Sequence, residues 1–541
     1  MRANNKPFCV YFVPKTHHDL GYTHTIPELL NVYCKYYDDV IDYCDSTSGN
    51  PYESQYRYTV ESFWSLDYYL KHTSGENIEK IKKYIKDGRI EIQAFYANVI
   101  DGICSEEEIT RMIYPSAKFA KECGVRLKSA ALTDIPGLNQ GVIKALSKAN
   151  IPYLFAGFPT YFDWNDFMGE KSTSPNRLWD ENSLFAWGHP SAFFWKAIGG
   201  EKVFAWHQYG YGYMGNDASP EIEAEDYDVL NEKLPCYIAK LKERGVPYGV
   251  MRYVDHGLDN IRPEKSVCDI VKRWNEDHTD IKCMVATESM FFEALEKDCK
   301  ENIPTIYGEL PHTDYTTLSL TEAQMTGLNN HTKHELNRVE KLDALSVLSS
   351  ECGIGVNVIT DIYKDIIMYD EHCFGMTYYD HEAEYNRTSK IGYAYKAAMN
   401  TEKAKKTVEK SATKKADGQI SVFTLSGVKS ESVGCDLYCV DKSESACSGE
   451  YISSVNRKLY IQTDVIDDPR LPYYGLQKLY GMKRTDYEVR QNTYFVPSGA
   501  NLSAETYAKT EIGGDFQGYP CSDLCLENDL YKITVDKAIV K

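Results

Sequence analysis

A chain of 541 residues is too long for one hydrophobic core and implies about three domains at ordinary domain sizes. Its net charge of −19 argues against nucleic acid or an anionic membrane as a partner, since both reward a basic face. No run approaches the ~20 apolar residues of a membrane span, and 43% apolar with 26% charged content is the balance of a soluble globular protein.

Chemically informative residues follow the same trend. Aromatic residues make up 13%, and 43 residues are tyrosine, whose flat ring and rim hydroxyl suit sugars even though most tyrosines serve packing. The 16 cysteines are scattered singly, and the close pairs Cys435 with Cys439 and Cys521 with Cys525 have no histidine cluster beside them. They read as buried thiols in a reducing compartment. Only MRANNKP precedes the first apolar run, which leaves no room for a signal peptide. A cytoplasmic protein is the expectation.

In chain order, the apolar run Phe8 to Pro14 reads as a strand. Thr25 with Glu28, and Pro27 between them, makes a capping-box helix start, and Leu29, Val32, Tyr33, Tyr36, Tyr37, Val40, Ile41 and Cys44 recur at helical spacing. A strand at Tyr56 to Val60 ends in Glu61, Ser62, Phe63 and Trp64. A helix over Ile78 to Lys86, a strand over Ile90 to Phe95 and a helix from Ser105 through Phe119 follow. The small-residue strand Ala130 to Thr133 delivers Asp134. After it come a helix over Gly141 to Ala149, strands at Tyr153 to Ala156 and Lys202 to His207, and a helix near Leu234 to Arg244. The strand Tyr248 to Val254 ends at Asp255, ahead of a helix over Val267 to Asn275 and a strand over Lys282 to Thr287. Such alternation implies an α/β fold with a parallel sheet closed or covered by helices, a β/α barrel over residues 1–300.

From Ile303 the texture changes. Helices over Glu335 to Leu348, Val356 to Tyr369 and Thr388 to Met399 predict a helical bundle over 301–400. Lys403 to Lys415 reads as a solvated connector. Residues 401–541, with runs such as Ile420 to Leu425 and Leu459 to Thr463, read as an antiparallel β-rich domain, expected to be incomplete.

The stretch KTHHDLGYTHT at Lys15 to Thr25 carries the chemistry. His17 and Asp19 stand two residues apart just past a strand and can face one cation. An isolated His-x-Asp is as readily a hydrogen-bonded loop pair, so the other candidates matter: Asp134 in ALTDIPG, Asp255 and Asp259 in YVDHGLDN, and His372 in YDEHCFG. His17, Asp19, Glu61, Asp134 and Asp255 all fall just after a predicted strand, where α/β barrels place their working residues.

These residues bring in a family. Over roughly residues 8 to 400 the chain resembles glycoside hydrolase family 38, the zinc-dependent α-mannosidases. HHDLGY matches the family's first signature at His17, Asp19, Gly21 and Tyr22, TDIPG places Asp134 as the nucleophile, and His372 matches the last metal-binding histidine. GLDNIRP, WNED and MVATES resemble the second half of the family's barrel. The resemblance implies a (β/α) seven-stranded-type barrel, and zinc, with cobalt or manganese not excluded by the donor set, held by His17, Asp19, Asp134 and His372. It implies a retaining exo-glycosidase acting on terminal α-mannosides or closely related α-glycosides. Asp134 would attack the anomeric carbon, and a second carboxyl about 5–5.5 Å away would protonate the leaving oxygen. Asp259 is the first candidate for that acid and Asp255 the second. Tyr22, Glu61, Trp64, His207 and Tyr209 are candidate sugar contacts, with Phe63 and the rest of WHQYGYGYMGND near them. The expected partner is a carbohydrate, and a homo-oligomer is left open.

Three departures separate the chain from the family pattern. Tyr22 stands where the signature usually ends in tryptophan, Cys373 follows the last histidine where aspartate is common, and TDIPG lacks the usual Phe-Gly-His continuation. Two rival readings therefore stand beside the first. One is a metal-dependent carbohydrate deacetylase, in which Asp134 forms no sugar adduct, and the other is a carbohydrate-binding relative without turnover.

Overall fold

The computed structural model describes residues 7–135, 138–158, 192–209, 226–243, 248–255, 259–299, 303–309, 319–350, 353–374 and 380–412. Beyond these it describes the strand residues 419–423, 433–441, 451–455, 458–462, 488–496, 504–508, 525–527 and 532–534. The chain forms two compact units, residues 1–343 with 353–408 and residues 344–352 with 409–541.

Among the described residues ten strands belong to the first unit: β1 (Phe8–Pro14), β2 (Tyr58–Val60), β3 (Ile90–Ile92), β4 (Ser129–Thr133), β5 (Tyr153–Phe158), β6 (Ala192–Lys196), β7 (Lys202–Tyr209), β8 (Val250–Asp255), β9 (Ile281–Val285) and β10 (Thr305–Tyr307). β1 buries Phe8, Val10 and Phe12 and leaves Cys9 and Tyr11 half-buried, the alternation a pleated strand dictates. It runs parallel between β8 and β9, with Val10 opposite Met251 on one side and Cys283 on the other. β2 pairs parallel with β3. A five-stranded sheet has the order β10-β6-β7-β5-β4 and is parallel except for the β6–β7 hairpin. Lys15 links the first two sets through a bridge to Thr59, and the Ala94 N–H donates to Ser129 O at 2.9 Å between the second and third. These pairings give a mixed α/β unit. Among the described residues they do not close the barrel expected from the sequence.

Helices supply the crossovers that parallel strands require. In the first, Ile26–Ser46, the Glu28 carboxylate accepts from Thr25 N and Oγ1 at 3.2 and 2.6 Å, and Leu29, Tyr33, Tyr37, Val40, Ile41 and Cys44 line its buried face. The single helix expected from Ser105 through Phe119 is two, Glu106–Arg111 and Tyr114–Glu122. Pro115 has no N–H to continue the ladder, so the chain restarts there. The strand expected over Ile90 to Phe95 stops at Ile92: Gln93 N still donates to Val60 O of β2, but Ala94 N donates to Ser129 O of β4. β6 and β10 lie outside the strands expected from the sequence.

Three helices follow, Ala323–Ser350, Val356–Asp370 and Asp380–Ala412. The last absorbs most of the lysine-rich stretch expected as a connector. Ala404 and Val408, at i and i+4, are both buried, and lysine, glutamate and alanine are good helix formers. Among the described residues no helix is long and apolar enough to cross a membrane. In the second unit the strands Gln419–Phe423 and Ala504–Ala508 pair antiparallel. A four-stranded sheet of Val433–Asp441, Tyr451–Val455, Lys458–Gln462 and Glu488–Val496 has one parallel pairing, between its first and third strands. Cys525–Glu527 pairs with Lys532–Thr534.

Candidate metal centre

Beyond Pro14 the first strand leaves its sheet and becomes the loop that carries His17 and Asp19. Its path is fixed by side chains from far along the chain. Lys15 pairs with Thr59 and His17 with Asp259. Asn260, at φ 51, acts as a clamp. Its Oδ1 accepts from Asp19 N and Tyr33 OH at 3.1 and 2.7 Å, and its Nδ2 donates to Gly21 O and Thr23 Oγ1 at 3.1 and 2.9 Å. Gly21 has φ +108, and a Cβ there would stand 3.1 Å from Asn386 Nδ2. The backbone conformation and the close approach both call for glycine. Tyr22 follows at φ 66, half-buried.

Asp134 follows β4 directly. Its N–H donates to Gly157 O at 2.8 Å and its φ is 62, a left-handed conformation that a non-glycine residue holds at some cost and that concentrates at functional sites. His372 follows the helix Val356–Asp370, whose end zips against residues 98–100: Ile100 N donates to Asp370 O at 3.1 Å and His372 N to Asn98 O at 2.9 Å, with a bridge between Val99 and Glu371.

The structure thus brings His17, Asp19, Asp134 and His372 together, with one donor atom from each lying within 4.8 Å of the others. His17 Nε2 stands 3.1 Å from Asp19 Oδ1, and His372 Nε2 stands 2.9 Å from Asp19 Oδ1 and 3.4 Å from Asp134 Oδ2. Ligand bonds of about 2.0–2.1 Å at angles of about 90–110° would separate neighbouring nitrogen and oxygen donors by about 2.8–3.4 Å. The three observed spacings fall within that range.

What lies behind the imidazoles also fits a cation. His17 Nδ1 faces Glu61 Oε1 at 2.8 Å and His372 Nδ1 faces Glu371 Oε1 at 2.9 Å. A carboxylate on Nδ1 takes that proton and leaves the Nε2 lone pair for a metal. Glu61 is itself held by Lys15, and Glu371 by Lys390 Nζ at 2.5 Å. Those two pairs cancel, so Asp19 and Asp134 are left with two negative charges between neutral imidazoles, which a divalent ion balances. Without that ion, protons answer the charge. Burial alone would depress the His17 imidazole, but Asp19 and Glu61 outweigh it and raise it to about 10. His372 is raised against burial by Cys373 first and then by Glu371, Asp134 and Asp19. Burial raises Asp134, partly opposed by His372, while the two imidazoles overcome burial and hold Asp19 low.

Two expected sugar contacts are corrected. Glu61 is fully buried and spent on the protein: besides His17 and Lys15 it accepts from His18 N at 3.2 Å, Asn98 Nδ2 at 2.8 Å and Thr133 Oγ1 at 2.9 Å. Trp64 is 2% exposed and packs edge-on against His18 and Tyr33, so its ring belongs to the core. Asp259 is half-buried beside His17. Asp255 ends β8 opposite Pro14, while His207 and Tyr209 end β7. The side chains of these last three lie outside the described residues, as does most of WHQYGYGYMGND.

Several residues that the sequence did not single out hold the site. Asn98 touches every segment of it: beyond Glu61 and His372, its Oδ1 accepts from Thr133 N at 3.3 Å. Asn260, Glu371, Lys390 and Asn386 belong with it. The readable signal was adjacency to chosen motifs, for Asn260 in GLDN and for Glu371 before His372.

No curated protein matches the chain. Among solved structures, an alpha-mannosidase from Enterococcus faecalis V583 is similar in fold, with a TM-score of 0.64, 16% identity, and coverage of 98% of this chain and 60% of that one. A second, described as a protein in the Glycosyl Hydrolase Family 38 from Enterococcus faecalis, gives 0.62, 14%, 98% and 58%. The chain thus spans about three-fifths of the length of either. The N-terminal domain of the glycosyl hydrolases family 38 matches residues 7–309, more than half of the 541 residues, and the chain belongs to that family.

Proposed function

We propose that the protein is a metal-dependent retaining exo-glycosidase that hydrolyses terminal α-mannosides, with a divalent ion, zinc first, held by His17, Asp19, Asp134 and His372. The observation that carries the reading is the convergence of two imidazole nitrogens and two carboxylates at ligand spacing, with one carboxylate on the strained turn after β4. The ion would supply positive charge that keeps Asp134 ionised despite its burial and polarises sugar hydroxyls.

The chain's own residues do the rest. Asp134 attacks the anomeric carbon and forms a glycosyl ester as the leaving oxygen departs. Asp259, with Asp255 as second candidate, donates a proton to that oxygen and then takes one from the water that cleaves the ester. Glu61 and Glu371 fix the imidazole tautomers, and Asn98 and Asn260 hold the loops in register. Family membership and the likeness to an alpha-mannosidase support the substrate class.

The test is an aryl α-mannoside assay on chelator-stripped protein with Zn²⁺ or Co²⁺ added back, followed by trapping with a fluorosugar and peptide mass mapping. Metal-restored turnover and a sugar adduct on Asp134 are expected. Turnover indifferent to chelation, or an adduct elsewhere, would overturn the assignment.

A further inference from the structure

The helix Val356–Asp370, which delivers His372, is fastened at its end by a buried lysine. Asp370 Oδ2 takes the ammonium of Lys333, and Asp370 Oδ1 accepts from Asn329 Nδ2 at 3.0 Å. Asn329 and Lys333 stand at i and i+4 on the helix Ala323–Ser350 and so share a face, and Asn329 Nδ2 also donates to Ile366 O at 3.3 Å. The other two Lys333 donors turn to the segment after β3, reaching Ile103 O at 3.0 Å and Glu108 Oε2 at 2.7 Å. Its three ammonium N–H groups are thereby all used. Glu108 in turn holds the start of its own helix by accepting from Ser105 N at 3.3 Å. Cys104, Glu108 and Asp370 bring one donor atom each within 4.8 Å of one another, a spacing that suits an ion, but Lys333 already supplies the positive charge there.

The fastening bears on the site because residues 370–372 run antiparallel against residues 98–100, from Ile100 N on Asp370 O to His372 N on Asn98 O. Lys333 closes the open end of that pairing: it grips Asp370 on one segment and Ile103 O, beyond Ile100, on the other. Removing it leaves two buried carboxyls, Glu108 and Asp370, facing each other with no cation between them, which drives them apart. We infer that Lys333 is a positioning residue for the metal centre, clamping Asp370 to the segment after β3 and thereby setting where His372 presents its imidazole. The inference rests on the metal reading above and adds the helix Ala323–Ser350 to the elements that hold the ion's ligands in place.

The test compares the metal-stripped full-length wild type with Lys333→Met and Lys364→Met, by zinc competition against a chelator and by the visible ligand-field bands of added cobalt. Lys364 is the control because it joins the same helix to Asp67 at 2.9 Å, further from the end that carries His372. Lys333→Met should yield zinc at least about 10-fold more readily, as loss of outer support for a ligand does, and should shift the cobalt bands. Lys364→Met should lower the urea midpoint and leave zinc and cobalt binding as in wild type. Because Lys333→Met strands a buried carboxylate, the double variant Lys333→Met with Asp370→Asn removes both partners; it should recover folding stability and still hold zinc loosely. Wild-type zinc affinity and cobalt bands in Lys333→Met or in the stable double variant, or an equal loss in Lys364→Met, overturn the inference and leave the metal reading standing. Failure of the wild type to bind zinc or cobalt overturns both.

Discussion

Replacing Glu61 by glutamine separates the role the structure gives this residue from the sugar contact its place after a strand suggested. Glu61 is fully buried and accepts at both oxygens: Oε1 serves His17 Nδ1, His18 N and Asn98 Nδ2, and Oε2 serves Lys15 Nζ and Thr133 Oγ1. A carboxamide can keep an acceptor on only one side. Turned to leave oxygen at the Oε1 position, it spares three donors but points an N–H₂ at the Lys15 ammonium. Removing one partner of a buried ion pair costs about 3–5 kcal/mol. Lys15 recovers part of that by losing its proton, because burial already depresses it. Turned the other way, the amide N–H₂ forces His17 to accept at Nδ1 and carry its proton on Nε2, the atom meant for the metal. Loss of such a supporting carboxylate costs 10–100-fold, roughly 1.4–2.7 kcal/mol, in metal affinity. E61Q should therefore unfold at lower urea by about 3 kcal/mol and yield zinc to a competing chelator at least about 10-fold more readily. A variant as stable and as zinc-avid as wild type, but with a raised KM, would refute the positioning role and restore the sugar contact.

Asp134→Asn should lower kcat by roughly 10⁴-fold or more while the protein stays folded, as loss of a nucleophile does, checked by steady-state kinetics with circular dichroism; residual activity within tenfold of wild type would exclude it as nucleophile. Burial, opposed by the Asn139 backbone N–H and aided by Glu309, raises Asp101 from 3.8 to about 7. The stability it contributes is complete below pH 3.8 and drains away as pH rises through about 7, so Asp101→Asn should flatten the fall in urea midpoint between pH 4.5 and 8, and parallel profiles would refute this. Arg252 and Glu288 form a fully buried bidentate pair at 2.6 and 2.7 Å. Arg252→Met should cost about 3–5 kcal/mol, and adding Glu288→Leu should recover most of it in a double-mutant cycle.

The strands and helices most readable in the sequence were those whose own residues decide the outcome. β1 alternates, the first helix carries its cap and its apolar stripe, and β4 is mostly small residues with a carboxylate just beyond its end. Where the outcome depends on a distant partner, the reading diverged. A polar residue after a strand looks the same whether it meets solvent, sugar or a buried lysine, and Glu61 met the lysine. Trp64 looked like a stacking face because local sequence cannot show that Tyr33 and His18 close over it. The stretch at Lys403 to Lys415 was judged by its charge, when the deciding signal was the four-residue spacing of Ala404 and Val408, buried on one helical face.

The site shows the same division more sharply. His17 and Asp19 are close in sequence and announce themselves, whereas His372 is one of several distant candidates until the resemblance matches it to the last metal-binding histidine, since nothing in spacing ties residue 372 to residue 17. Long-range order is supplied by neutral groups: Asn98 between β3 and β4, which lies in no motif, and Asn260 beyond β8, which the GLDN motif contains but does not mark. Each spends several hydrogen bonds on backbone atoms of other segments. Amides suit this task because one side chain both donates and accepts without adding charge, and in the proposed metal reading a divalent ion would already match Asp19 and Asp134. A charged clamp at either position would alter the balance of charge around Asp19 and Asp134. The residues that build this site are therefore quiet in the sequence for the same reason that they are useful in the structure.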